Sequence, residues 1–263
     1  MTAFRRLLSY VPGLYQPYSH LLLENESAHS HVHLHNFLSV IWPEGCPAAR
    51  FLLKIKNSDG AELARKVVHL EPLGVLSAPV HSVFPALVDF PTMGTLSVRL
   101  KSDRKIRKYA RSRHKGLVRF PSPFWMQYSS SNGSDAYVHS VGTDHSDVRL
   151  IDLVLNMISR TTHRGGCWES SRTYEMQTNE SIDIFLLNQN RSSIRQNIKL
   201  VRNDKTVVFS KSVDVGSGGV TCVSFKSERP ESVFLKIDKL STSNSKPYVL
   251  VRSANEMFSL THG

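Results

Sequence analysis

The stretch Leu53–Val80, LKIKNSDGAELARKVVHLEPLGVLSAPV, decides the fold because a later stretch repeats its pattern. A shift of 145 residues lays it without a gap on Ile198–Phe225, IKLVRNDKTVVFSKSVDVGSGGVTCVSF, with six identities in 28 positions. The turn residues Asp59 and Gly74 fall on the equivalent residues Asp204 and Gly219. Apolar and polar residues alternate within each copy, as in half-buried strands. We therefore predict two copies of one β-module.

The same alternation continues outward from the repeat in both directions. Short runs rich in Val, Ile, Leu, Phe and Thr are separated by turn clusters every 8–14 residues, which is typical of β-sandwiches. We expect an all-β fold of two tandem, internally repeated β-sandwich modules, residues 14–145 and 146–263. One strand is expected over 31–41 and another over 168–176. Helices are expected only over Asp103 to Ala110 and within part of Val148 to Ser159.

Composition excludes several classes of protein. The chain of 263 residues is 40% hydrophobic, so it can bury a core, and it has no apolar run long enough to span a bilayer. The first residues lack the apolar stretch of a secretory signal. Three cysteines lie far apart at Cys46, Cys167 and Cys222, which favours a reducing compartment and neither a disulfide framework nor a metal pair. We expect a cytoplasmic protein with no integral membrane association.

Positive charge is concentrated in one segment. The formal net charge is +11, yet ten basic residues and a single acid, Asp103, lie between Arg99 and Arg119. The second copy has a shorter loop at this place, so residues 101–115 form a basic insertion in the first module. The segment predicts binding of a polyanion such as nucleic acid, an acidic glycan or an anionic lipid surface; the alternative is a solvated loop. The expected contacts are Arg104, Lys105, Arg107, Lys108, Arg111 and Arg113.

Four histidines alternate along the expected strand AHSHVHLHN, residues 28–36. Alternate strand residues share a face, so the four imidazoles should line one side, with Val32 and Leu34 on the other. Imidazole is a common ligand of transition metals. We therefore consider a divalent transition metal held by His31, His33 and His139, and as alternatives a solvent-exposed or a ligand-binding histidine face.

Aromatic residues cluster in PSPFWMQY, residues 121–128, and a further tryptophan follows in the second module. Aromatic side chains on a sheet stack on sugar rings or bases, and they equally fill a sandwich core or a partner interface. The residues expected to bind a ligand are Trp125, Gln127, Tyr128 and Trp168.

Part of the strand pattern resembles the sensory rhodopsin transducer family. The resemblance rests on Glu180–Asn188, Ile198–Leu200, Ser232–Leu235 and Pro247–Arg252, and His20–Asn25 with the strand from His31 repeats it. It implies small β-sandwich modules that bind small molecules and assemble through their sheets.

Motifs of nucleophilic catalysis are absent from the sequence, which has no Gly-x-Ser-x-Gly elbow. The prediction is a non-enzymatic binding or assembly protein for a small polar molecule or glycan, forming a homo-oligomer through its sheet faces. The alternatives are a metal-dependent enzyme acting on a small polar or sugar substrate, and polyanion binding through the basic segment.

Overall fold

The computed structural model describes residues 14–26, 28–113, 120–139, 144, 166–240, 246–252 and 258–262. These residues form antiparallel β-sheets with three short helices, which confirms the all-β sandwich fold. The helices are α1 (Phe37–Ile41), α2 (Val80–Val83) and α3 (Arg104–Arg113). No helix within the described part of the chain is long and apolar enough to cross a bilayer.

The first half of the chain forms sheets A and B. Sheet A has the order β4-β3-β6-β1, and sheet B has the order β5-β2-β7-β8. The two sheets are joined where β1 and β2 pair at Glu24↔His29 and Asn25↔Ala28. The strands are β1 (Tyr18–Asn25), β2 (Ala28–His35), β3 (Ala49–Asn57), β4 (Glu62–Leu70), β5 (Val75–Pro79), β6 (Met93–Leu100), β7 (Phe124–Ser129) and β8 (Asp135–His139).

The second half forms sheets C and D. Sheet C has the order β10-β15-β12-β13, with β9 also pairing with β15, and sheet D has the order β14-β11-β16-β17. The strands are β9 (Gly166–Glu169), β10 (Tyr174–Met176), β11 (Ser181–Leu187), β12 (Ile194–Arg202), β13 (Val207–Val215), β14 (Val220–Lys226), β15 (Glu231–Leu240), β16 (Tyr248–Arg252) and β17 (Phe258–His262).

Sheet D is covered on both faces, as its sequence pattern requires. In β11, Ile182 and Ile184 pack with residues of sheet C in one apolar cluster. Phe185 and Leu187 belong instead to the cluster that fills the first half. Because alternate residues of a strand point to opposite faces, the nearly continuous apolar run of β11 reflects burial on both sides.

Polar contacts also connect the two halves of the chain. His20 on β1 and the Tyr248 hydroxyl share a buried hydrogen bond of 2.7 Å. The Gln189 side-chain amide donates to the Ser19 hydroxyl at 2.8 Å. The Ser58 carbonyl accepts a hydrogen bond of 2.9 Å from the backbone N–H of Val220. The halves are therefore joined by both apolar packing and buried hydrogen bonds.

The positions of β3 and β4 recur 145 residues later. Strand β12 begins and ends 145 residues after β3, and β13 begins and ends 145 residues after β4. The β3–β4 pairing has an irregularity between Ile55 and Lys56, and the β12–β13 pairing has one between the equivalent residues Leu200 and Val201. The origin of the two halves by duplication stays a prediction that this agreement supports.

Two expected strands differ from those observed. The run over 31–41 is a strand only to His35, and α1 follows it, since Asn36 leaves the strand and its backbone N–H bonds to the Gly74 carbonyl. The run over 168–176 is split into β9 and β10 by Ser170, whose backbone N–H donates to the Leu235 carbonyl. The helix expected within 148–159 and the module boundary near 145 lie outside the described residues.

Candidate functional site: the histidine face of sheet B

The outer surface of sheet B carries a dense set of imidazole, aromatic and amide side chains. Strand β2 places its four histidines toward the outside, while Val32 and Leu34 are fully buried, as the alternation predicts. The register sets His33 beside Trp125, and Trp125 beside His139 on the next strand. The neighbouring row holds His31, Gln127 and Tyr137. We call this surface the histidine face: His29, His31, His33, His35, Ser77, Trp125, Gln127, Tyr137 and His139.

His33 lies at the centre of the histidine face and is held from three sides. Its ring stacks on Trp125, with centroids 5.6 Å apart and 11° between the planes. Its Nε2 is 3.0 Å from Gln127 Oε1, and its Nδ1 is 3.0 Å from the Ser77 hydroxyl. Both nitrogens therefore have protein partners, which fix the ring orientation.

Further rings continue the row on both sides of Trp125. His35 lies 5.5 Å from the Trp125 ring and His139 lies 6.3 Å from it, measured between centroids. Tyr137 is tilted toward His33 at 6.2 Å, and its side chain is among the exposed large hydrophobic groups at 58%. The face thus combines a fixed ring stack with one exposed aromatic ring.

Two carboxylates border the histidine face. Glu24 accepts from His29 Nδ1 at 3.2 Å and lies 4.0 Å from His81 Nδ1. Asp135 accepts a 2.6 Å hydrogen bond from the Ser129 hydroxyl. That bond, with a further one from Gln127, lowers the pKa of Asp135, so this carboxylate is ionised at neutral pH.

The electrostatics of the face favour neutral imidazoles at two positions. Burial lowers the pKa of His31, and the neighbouring His33 adds to that effect. Burial also lowers the pKa of His35. A neutral imidazole offers one donor and one acceptor, which is the pattern that a hydroxyl group matches.

The structure gives no support to the metal site predicted from His31, His33 and His139. Among the described residues, which include His31, His33 and His139, no three His, Cys, Asp or Glu side chains are grouped to hold a metal ion. The physical reason is visible at His33, whose two nitrogens already bond Gln127 and Ser77. These contacts favour a hydrogen-bonded histidine face, and the divalent metal stays a prediction.

Two of the expected ligand-binding residues lie elsewhere. Tyr128 points to the inner side of sheet B, is fully buried and donates its hydroxyl hydrogen bond to the Leu21 carbonyl at 2.7 Å. Its alternation with Trp125 and Gln127 already places it on the other face. Trp168 lies on β9 in sheet C and packs against the apolar cluster of the second half. Trp125 and Gln127 alone join the histidine face.

Sequence reasoning missed Tyr137 and Ser77. The alternation in Asp135–His139 places Tyr137 on the same side as His139, so this residue was accessible to prediction. Ser77 contacts His33 because β5 pairs with β2, although the two residues are 44 positions apart in the sequence. Local periodicity contains no signal for that pairing.

The basic segment contains the expected helix, extended to Arg113. Asp103 Oδ1 accepts from the Ile106 N–H at 2.8 Å at the start of α3. Ile106 and Ala110 are fully buried. Tyr109 lies against Trp42, and its hydroxyl donates to the Trp42 carbonyl. The helix is thus fixed to the sandwich by one apolar side.

The six expected polyanion contacts on α3 are not equivalent. Arg113 pairs with Glu44 at 3.2 Å, and Arg107 Nε donates to the Asp103 carbonyl at 3.2 Å. The remaining four side chains are exposed, and none has an acidic partner among the described residues: Arg104, Lys105, Lys108 and Arg111.

A scan against protein-family models and a search of curated proteins find no match, so the resemblance to the sensory rhodopsin transducer family stays a prediction. Similar solved structures include the M60 catalytic domain with the two CBM51 domains of Clostridium perfringens ZmpB, at 9% identity and a TM-score of 0.22, covering 87% of this chain and 32% of that one. A Bacteroides uniformis beta-glucuronidase has 13% identity and a TM-score of 0.20, covering 96% and 27%.

A complex of the Amycolatopsis orientalis exo-chitosanase CsxA with PNP-beta-D-glucosamine has 12% identity and a TM-score of 0.18, covering 91% of this chain and 24% of that one. The chain therefore spans about a third or less of each of these three structures. TM-scores this low assign neither a fold nor a function to it.

Proposed function

We propose that the protein is a non-enzymatic binding protein that binds a glycan on the histidine face. The observation that carries the proposal is the side-by-side arrangement of His33, Trp125 and Gln127 with the exposed ring of Tyr137 on a single sheet surface. Aromatic rings pack on the apolar faces of sugar rings, and the neutral imidazole of His31 beside them bonds the sugar hydroxyls.

The charge state of the face favours a neutral sugar over an anion. The lowered pKa values of His31 and His35 keep these imidazoles uncharged at neutral pH. An uncharged imidazole can donate to one hydroxyl and accept from another, whereas an imidazolium only donates. We therefore expect a ligand that presents several hydroxyl groups around an apolar ring face.

The rigid orientation of His33 supports binding over metal-dependent catalysis. A ring held through both nitrogens adds little flexibility to the surface, so less entropy is lost when a ligand is bound. Assembly of the chain into a homo-oligomer is a further prediction, and light scattering on the purified chain measures it directly.

A glycan array followed by calorimetry tests the glycan proposal. Trp125→Ala and Tyr137→Ala should each weaken binding of the selected glycan about tenfold, since stacking contributes about 1–3 kcal/mol. Val67→Ala is the matched control, because Val67 is an exposed apolar residue of β4 on sheet A. Unchanged affinity in both aromatic variants contradicts the proposal.

A second candidate function is polyanion binding by α3, and the four exposed bases without acidic partners favour it. Replacing Arg104, Lys105, Lys108 and Arg111 by Gln keeps Ile106 and Ala110 in place, so the helix should stay docked. We expect the variant to elute from heparin at a clearly lower salt concentration, since each lost phosphate-type contact reduces the salt dependence by about 0.7–0.9 in the log–log slope. Elution at the salt concentration of the parent protein would contradict a polyanion site on α3.

A further inference from the structure

A cleft of about 480 Å³ lies between the first half of the chain and the face of sheet D that carries Asp183 and Phe185, opposite the face that packs on sheet C. Its lining includes Leu23 and Met93 from the first half and Asp183 and Phe185 from β11. None of its lining residues belongs to the histidine face. The volume falls within the roughly 300–1,000 Å³ range of small-molecule sites.

The register of sheet D arranges the polar groups of the cleft in two rows. Ser181 pairs with Lys226 on one side and with Arg252 on the other. Two residues further along, Asp183 pairs with Ser224. Residues two apart share a face, so both rows point into the same cleft.

Asp183 and Arg252 form the fixed part of this site. Arg252 Nη2 lies 2.6 Å from Asp183 Oδ2. The Asp183 side chain is only 7% exposed, whereas that of Arg252 is 46% exposed. The guanidinium is therefore oriented by a buried carboxylate, and much of its surface remains available to a ligand.

The cleft contains one positive charge more than it has negative charges. Lys226 and Arg252 are the cations, and Asp183 is the carboxylate that pairs with Arg252. Lys226 is exposed and has no acidic partner among the residues that the structure describes. The cleft is therefore complementary to a ligand with a single negative charge.

Cys222 also lines the cleft, and its chemistry favours binding over thiol catalysis. Burial, reinforced by the negative charge of Asp183, raises the pKa of the Cys222 thiol to about 11. The thiolate is the nucleophilic form, so this cysteine is unreactive at neutral pH.

We propose that the cleft binds a small hydroxylated carboxylate of the sugar-acid type. The carboxylate of the ligand meets Arg252 and Lys226, its hydroxyls bond Ser181 and Ser224, and its apolar side faces Leu23 and Met93. Arginine binds carboxylates through two parallel hydrogen bonds, which gives the site its preference for this group. The proposal is independent of glycan binding on the histidine face.

Calorimetry and saturation-transfer NMR on the full chain test the proposal with D-glucuronate and D-gluconate, and D-glucose serves as the uncharged counterpart. We expect saturable binding of at least one of the two carboxylates, at least tenfold tighter than binding of glucose. Lys226→Gln should weaken that binding at least fivefold, whereas Lys101→Gln, at an exposed position beyond the end of β6 that lies away from Met93, should leave it unchanged.

A double variant protects the test against loss of folding. Arg252→Gln alone would leave Asp183 buried without its cation, so Asp183→Asn is combined with it. The double variant should retain the parental circular dichroism spectrum and lose carboxylate binding, while Trp125→Ala should retain it. The proposal is overturned if neither carboxylate binds saturably, or if Lys226→Gln and the double variant both bind as the parent does.

Discussion

Strand periodicity predicts which residues of a single strand lie on the histidine face, but it does not predict contacts between strands. Alternation places Trp125 and Gln127 on the outer side of β7, and the buried position of Tyr128 follows from the same rule. Strand alternation alone therefore argues against Tyr128 as a ligand-binding residue on the same face as Trp125 and Gln127. The hydrogen bond between Ser77 and His33 depends on pairing between distant strands, which periodicity does not determine.

Two histidines of the face should make stability depend on pH. The pKa values of His31 and His35 are lower in the folded protein than the ordinary value near 6.5, so the unfolded chain binds protons more readily. Stability should therefore be unaffected by these groups above about pH 6.5 and should fall as the pH decreases below it.

The corresponding measurement is the melting temperature between pH 7.5 and 5.5. The double substitution of His31 and His35 by Gln should reduce the loss of melting temperature on acidification. Val67→Ala, at an exposed and non-titratable residue of β4 in sheet A, provides the control and should keep the parental dependence. A double variant with the full parental dependence would contradict the assignment to these two residues.

At the scale of elements, β3 and β4 show how much the repeat predicts. The strands recur at the spacing found in the sequence, with the register irregularity at equivalent residues. The helix α1 was not predicted, because Phe37 and Leu38 continue the apolar run of β2 and only tertiary packing decides between strand and helix. Element boundaries of this kind depend on contacts that local sequence lacks.

The β3–β4 turn contains a glycine that the contact between the halves requires. Gly60 has φ +88°, and a Cβ atom there would lie 2.1 Å from the Ser217 carbonyl oxygen. Gly60→Ala should therefore lower the free energy of unfolding by more than the roughly 1–2 kcal/mol of left-handed strain.

Gly133 supplies a matched control for that substitution. It has φ +83°, and nothing lies within 4 Å of a Cβ placed on it. Gly133→Ala should lower the free energy of unfolding by the backbone strain alone, as measured by urea unfolding. Equal losses in the two variants would show that the turn does not pack against the second half as described.

At the scale of the whole molecule, the two halves share one apolar cluster. Leu21 and Leu53 of the first half belong to the same buried cluster as Phe185, Tyr248 and Leu250 of the second. We therefore expect one cooperative unfolding transition, with coincident curves from far-ultraviolet circular dichroism and tryptophan fluorescence. Two separated transitions would contradict this coupling.

The buried hydrogen bond between Tyr248 and His20 also connects the two halves of the chain. Tyr248→Phe removes the hydroxyl and leaves His20 Nδ1 buried without that partner, so the free energy of unfolding should fall by about 1–3 kcal/mol. Tyr137→Phe, at a side chain that is 58% exposed, should have little effect in the same urea titration. Similar stability of the two variants would argue against a buried hydrogen bond at this contact.

The most direct test of the histidine face uses the three tryptophans of the chain as internal reporters. Their indole N–H signals are followed by two-dimensional ¹H–¹⁵N NMR during titration with the glycan selected by the array. Glycan binding on the histidine face predicts a saturable shift of the Trp125 signal, with those of Trp42 and Trp168 unchanged. A saturating titration that leaves Trp125 unshifted, or that shifts only Trp42 or Trp168, would contradict it.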